Sequence, residues 1–102
     1  MMRVILCSCP ENEAEHIAKT ILMDKLAACV NIIPGVRSLY VWKDQLCDEK
    51  EAILLIKSRA HLMDRLINKI NESHSYDTVE IISLEIKEGD KKYLKWIEDV
   101  TS

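Results

Sequence analysis

A chain of 102 residues, 48% apolar and 30% charged, supports one globular domain over residues 1–102 with a core of its own. Two glycines and two prolines leave nothing from which to build a low-complexity linker or a glycine-rich phosphate loop. A net charge of -3, no Phe, two Trp and three Tyr argue against a nucleic-acid surface, which needs a basic footprint and stacking aromatics.

The first residues, Met1 to Leu6, run into a polar stretch at Pro10-Glu11-Asn12-Glu13, too soon for a signal-peptide core. No apolar run is long enough to span a bilayer, so no membrane partner is expected and the predicted location is the cytoplasm. There Cys7, Cys9, Cys29 and Cys47 are expected as thiols, and no Cys-x-x-Cys pair suggests a structural zinc site.

Arg3 to Cys9 reads as a first strand ended by Pro10. A helix follows over about Glu11 to Lys25, with Pro10 suited to its first position and Glu11, Glu13 and Glu15 to its positive end. Ala14, Ile17, Ala18, Ile21, Leu22 and Leu26 form its apolar stripe. Cys29 to Ile33 and Val36 to Trp42 are β-rich, and Pro34-Gly35 between them marks either a turn or a bulge within one long strand. The polar run Lys43 to Asp48 then turns the chain into Ala52 to Ile56, an apolar run typical of a strand covered on both faces, which completes a long hairpin.

A second helix is predicted over about Ala60 to Ser73, with Ser58 as its cap and Leu62, Met63, Leu66, Ile67 and Ile70 as its stripe. Thr78 to Ile86 alternates as a half-buried strand. Gly89-Asp90 opens a last helix with Tyr93, Leu94, Trp96, Ile97 and Val100 on its apolar face. The order β-α-β-β-α-β plus a helix is the α+β, ferredoxin-like arrangement, an antiparallel sheet with both crossover helices on one face. Apolar residues in both phases of the hairpin (Val30 and Ile32 in one, Ile33 in the other) leave the second face wanting a cover, and oligomerisation supplies one.

Leu26 to Lys43, with its run Ala27-Ala28-Cys29-Val30-Asn31-Ile32-Ile33-Pro34-Gly35-Val36, resembles the signature of the CutA divalent-ion tolerance proteins. Glu51 to Lys57, His74 to Glu80 and Gly89 to Ile97 follow in the same family's order, so the resemblance covers nearly the whole chain. It implies a homotrimer with an assembly similar to the PII signalling proteins, a link to tolerance of copper and other divalent metals, binding rather than catalysis, and no organic cofactor. The family's His-Pro-Tyr-Glu-x-Pro-Glu has lost both prolines here, to Ser75 and Val79, so Val79 is free to join the sheet ladder and the strand is expected to begin early.

In some bacterial members copper binding rests on a Cys late in the first strand and two adjacent His. The resemblance carries these roles onto Cys7 and His74, while Ser73 stands in place of the other His. Thiolate and imidazole suit copper or zinc, with a third ligand drawn from Cys9 or from another subunit. Cys29 and Glu80 are weaker metal candidates: Cys29 reads first as a packed strand residue, and Glu80, in phase with Ile82 and Leu84, either as a carboxylate facing apolar surroundings that needs Lys57, Arg37 or a backbone amide as partner or as a strand-end carboxylate reaching solvent. The competing reading is a PII-like regulator holding a small anionic ligand in a cleft between subunits, with Arg37, Lys57 and His74 as candidates and Tyr40, Trp42 and Tyr76 as its aromatic lining. An acylphosphatase and an RNA-recognition module share the topology. The first needs an anion cradle after the first strand, where this chain has acids and no Arg, and the second needs basic aromatic strands.

Overall fold

The computed structural model describes residues 1–102. Strand β1 (Met2–Pro10) leads into helix α1 (Glu11–Met23), then β2 (Cys29–Trp42), β3 (Gln45–Arg59), a 3₁₀ turn at Ala60–Leu62, α2 (Met63–Ser73), β4 (Ile81–Glu85) and α3 (Lys91–Val100). All strand pairs are antiparallel, in the order β2-β3-β1-β4, which is the ferredoxin-like sheet expected.

Alternation along the strands sorts the sheet into two faces. Ile5, Cys7 and Cys9 of β1 lie opposite Ile56, Leu54 and Ala52 of β3, and all six are buried. Against them pack Ala14, Ile17 and Ile21 of α1, and Leu62, Leu66 and Ile70 from the turn and α2. At roughly 1.5–3 kcal/mol for each large apolar side chain buried, this layer is the main source of stability. The stripe read from the sequence is right except at its edge, where Leu22 is 36% exposed.

The second face carries Val4 and Leu6 of β1, Ile53 and Leu55 of β3, Ile82 and Leu84 of β4 and Ile33 of β2. Leu55, Leu6 and Ile82 make one cross-strand row. Ile82 and Leu84 are 50% and 53% exposed. Helix α3 touches this side of β3 and buries only Ile97; Tyr93, Trp96 and Val100 stay exposed, unlike the continuous apolar face expected.

Pro34-Gly35 proves to be a bulge, not a turn. The register with β3 slips between Ile33 and Val36, and the strand runs on for 14 residues. Gly35 has φ 71°, a left-handed conformation that a side chain would strain. Its N–H donates to Glu11 Oε1 at 2.9 Å, tying the bulge to the start of α1. Lys43 and Asp44, at φ 50° and 61°, form the two-residue hairpin turn, whose left-handed pair matches the strand twist. Pairing starts immediately at Gln45, so the hairpin is longer than Ala52–Ile56 suggested and projects beyond the helices.

Three local readings are corrected. Ser58 does not cap α2: it is fully buried and its hydroxyl donates to the Leu26 carbonyl at 2.6 Å. Pro10 is the last residue of β1, with ψ 142°, rather than the first of α1. β4 begins at Ile81, not earlier, because the preceding loop is held elsewhere. His74 Nε2–H donates to the Ser8 carbonyl, Ser75 donates twice to Glu13, and Tyr76 donates its hydroxyl to Glu51. Losing two prolines freed Val79 to pair, but these anchors set the path of the loop.

Candidate functional site

The hairpin, β1 and the loop from Tyr76 to Glu80 border an open cavity of about 670 Å³. Alternation along β2 and β3 places Ser38, Tyr40 and Trp42 on the same side as Glu51, and the loop brings up Tyr76, Asp77, Thr78, Val79 and Glu80. Glu51 is 3% exposed, and the Tyr76 hydroxyl donates to its Oε2 at 3.0 Å. That hydroxyl is held protonated, its pKa raised first by burial and then by the neighbouring carboxylate of Glu51. A carboxylate buried beside one phenol costs desolvation that a packed apolar residue would avoid, a cost found mostly where a site needs the group.

Of the six residues assigned to a cleft, Arg37, Tyr40, Trp42 and Tyr76 line this cavity, and Lys57 and His74 do not. Lys57 hydrogen-bonds Asn31, directly beside Cys29, toward the other end of the hairpin. Arg37 is paired: its guanidinium donates to both carboxylate oxygens of Asp48, at 3.0 and 2.8 Å. Asp77, Glu80 and Glu51 therefore dominate the lining, which disfavours the anion expected there. Glu80 is exposed and has no hydrogen-bond or ion-pair partner, the solvent-reaching alternative of the two, because it lies before β4 begins. Sequence reasoning missed Glu51. The signal was its phase, for it alternates with Ile53 and Leu55 at the head of β3's apolar run.

The metal candidates lie close in the fold but are not poised as ligands. His74 is 8% exposed, and both its ring nitrogens are engaged. Nε2–H donates to the Ser8 carbonyl at 2.9 Å, and Nδ1 accepts the Tyr76 N–H at 3.2 Å, a neutral tautomer with no free lone pair. Ser8 sits between Cys7 and Cys9, whose side chains lie in the helix-facing core. Burial, then the charges of Cys9, Glu80 and Glu51, push the Cys7 thiol up to about 12; burial, then Glu13 and Glu51, push Cys9 up to about 11. No group of three or more His, Cys, Asp or Glu is arranged to hold a metal ion. Thiol chemistry should follow the same division. Under iodoacetamide at mildly alkaline pH, half-buried Cys47 and Cys29 should react, and Cys7 and Cys9 only after unfolding, as peptide mass mapping would show. Prompt labelling of Cys7 in the folded protein would contradict this placement.

A ferredoxin-like sheet with an extended hairpin and an apolar face left open by the crossover helices belongs to the PII-like architectural class. The chain belongs to the CutA1 divalent ion tolerance protein family, whose pattern matches residues 3–100. It is 38% identical over 102 residues to the divalent-cation tolerance protein CutA of Thermus thermophilus, covering 99% of each chain. The solved structure of that organism's divalent cation tolerance protein superposes with a TM-score of 0.97 over 100% of both chains. A PII-like protein CutA from Nostoc sp. PCC 7120 in apo form, 29% identical, superposes with a TM-score of 0.91, covering 98% of this chain and 97% of that one. The chloroplastic CutA 1 of Oryza sativa is 41% identical over 99 residues, 96% of this chain, yet this chain spans only 56% of its length. No helix here is long and apolar enough to cross a membrane.

Proposed function

We propose that this protein serves divalent-cation tolerance as a cytoplasmic homotrimer that works by binding, not catalysis, with the cavity beside the hairpin as its working site. The observation that carries this reading is Glu51, a carboxylate almost wholly removed from solvent yet facing a cavity walled by Tyr40, Trp42 and Tyr76. Small-ligand sites are concave spaces that set placed polar groups against aromatic and apolar walls, as Glu51 stands here against Tyr40, Trp42 and Tyr76. The bare apolar sheet face supports assembly, which would set each cavity beside a neighbouring subunit. Regulation by a small ligand, as in the PII-like class, links such a cavity to tolerance without requiring the protein to sequester the metal.

One contact favours a second reading, a copper or zinc ion held by Cys7 and His74. The His74–Ser8 hydrogen bond brings the imidazole to the strand that carries both buried thiols. To bind there, His74 must release Ser8 or Tyr76, Cys7 must give up its proton, and a further ligand must come from Cys9 or from a neighbouring subunit. Calorimetric titration of untagged protein with copper and with zinc separates the readings. His74→Ala and Cys7→Ser should leave ion affinity within about twofold of wild type if the cavity is the working site, and lower it by 10-fold or more, on the order of a lost ligand, if these residues hold the metal. Light scattering should give three times the chain mass, and a single-chain mass at micromolar concentration would remove the trimer.

A further inference from the structure

We propose that the cavity takes a small organic cation, a molecule carrying an ammonium group, because Tyr40, Trp42 and Tyr76 wall it while Glu51, Asp77 and Glu80 supply its charge. This rests on the small-ligand reading above and names the class of ligand.

Three observations converge. The lining carries three carboxylates and a single cationic side chain, Arg37, which both oxygens of Asp48 already neutralise. An anionic ligand would therefore meet three carboxylates against one guanidinium that Asp48 already pairs. Asp77 and Glu80 form no hydrogen bond or ion pair within the chain, so their charge is available at the rim. At depth, Glu51 is 3% exposed and its only hydrogen-bonding partner is the Tyr76 hydroxyl on Oε2; Oε1 is left to meet a ligand.

The aromatic walls account for the second half of the recognition. An ammonium group over a Trp or Tyr face is attracted by the ring quadrupole, more strongly where water is excluded. Trp42 already shows this capacity, with Lys43 Nζ 6.0 Å from its ring centroid. A buried carboxylate beside aromatic rings gives an organic cation charge pairing and apolar contact together. A bare metal ion would be matched poorly, since it gains little from aromatic walls and needs several oxygens converging at short range. The volume, about 670 Å³, suits a small molecule rather than an ion.

The test uses the full chain in its solution assembly and three probes in calorimetric titration: choline, its uncharged isostere 3,3-dimethylbutanol, and succinate. Choline is expected to bind at least about tenfold more tightly than the isostere, the size of a desolvated cation–aromatic contact joined to a carboxylate. Glu51→Gln and Trp42→Leu should each remove about tenfold of that affinity, and Asp77→Asn, at an exposed position, a few-fold. Circular dichroism and light scattering confirm that each variant keeps its fold and assembly. Equal binding of choline and its isostere, or tighter binding of succinate that Trp42→Leu abolishes, would overturn the cationic class and leave the small-ligand reading standing. If none of the three binds, the cationic inference falls. If copper or zinc then binds in a way that depends on His74 and not on Trp42, the small-ligand reading falls with it.

Discussion

Ile82→Lys is expected to turn a heat-resistant assembly into single chains. Ile82 lies in the row Leu55–Leu6–Ile82 on the sheet face that the crossover helices do not cover. It is 50% exposed in the isolated chain, so a lysine there meets water, and the single-chain fold should lose only about 0.5 kcal/mol. In a trimer packed through this face the same lysine is a buried, unpaired charge, worth about 3–5 kcal/mol per site against assembly. The contrast between the two costs is what gives the substitution its diagnostic force. Wild type should melt above about 70 °C, beyond the usual range for small domains and at a temperature that rises with protein concentration, and the variant should lose about 15 °C or more and melt independently of concentration. Scattering mass and calorimetric melting are the readouts. A variant that stays trimeric with an unchanged melting temperature would show that assembly uses another surface, such as the hairpin's outer residues Leu39, Val41 and Leu46, which are 61%, 70% and 77% exposed.

Alkaline pH should weaken the fold before it touches most surface groups, and Cys7 should account for much of the loss. Burial and neighbouring acidic groups push this thiol from 9.0 to about 12 in the folded chain. Above pH 9 the unfolded chain gives up the proton and the folded chain keeps it. The folded state then binds more protons, and stability falls as pH rises. This contribution is complete below pH 9 and drains away up to about 12, on the order of 4 kcal/mol in all at about 1.4 kcal/mol per pH unit. Cys9, raised to about 11, adds in the same direction, and the tyrosines with raised pKa values, Tyr76 among them, join at higher pH. Denaturant melts at pH 8 to 11 should show the decline, and Cys7→Ala should reduce its slope by about one proton while lowering stability uniformly through the small cavity it leaves. A stability independent of pH across that range would mean that the thiol is not desolvated as its position in the core implies.

The order of elements and the core were legible in the chain because they rest on local periodicity. The stripe Ala14-Ile17-Ala18-Ile21 can face a sheet only as a helix, and Ala52 to Ile56 can present apolar side chains to both faces of that sheet only as a strand. The apolar residues in both phases of the hairpin announced an uncovered face for the same reason. Family membership was legible too, since Leu26 to Lys43 is a long contiguous signature.

Non-local hydrogen bonds decided the rest. Ser58 looked like a helix cap because serine favours that position, yet the Leu26 carbonyl, 32 residues away, claims its hydroxyl. The loop around His74 looked free to extend β4 once its prolines were gone, and instead Glu13, Ser8 and Glu51, from three different elements, hold it. The same contacts occupy both nitrogens of His74, so a residue that reads as a metal ligand by type arrives in the fold already satisfied. Glu51 shows the converse. In the chain it is one acid among 17 Asp and Glu, and only the closure of the loop over the hairpin makes it a buried carboxylate facing a cavity. Periodicity states which side of an element is apolar, whereas the polar groups that meet there come from residues far apart in the chain, and their pairing exists only once the fold brings them together.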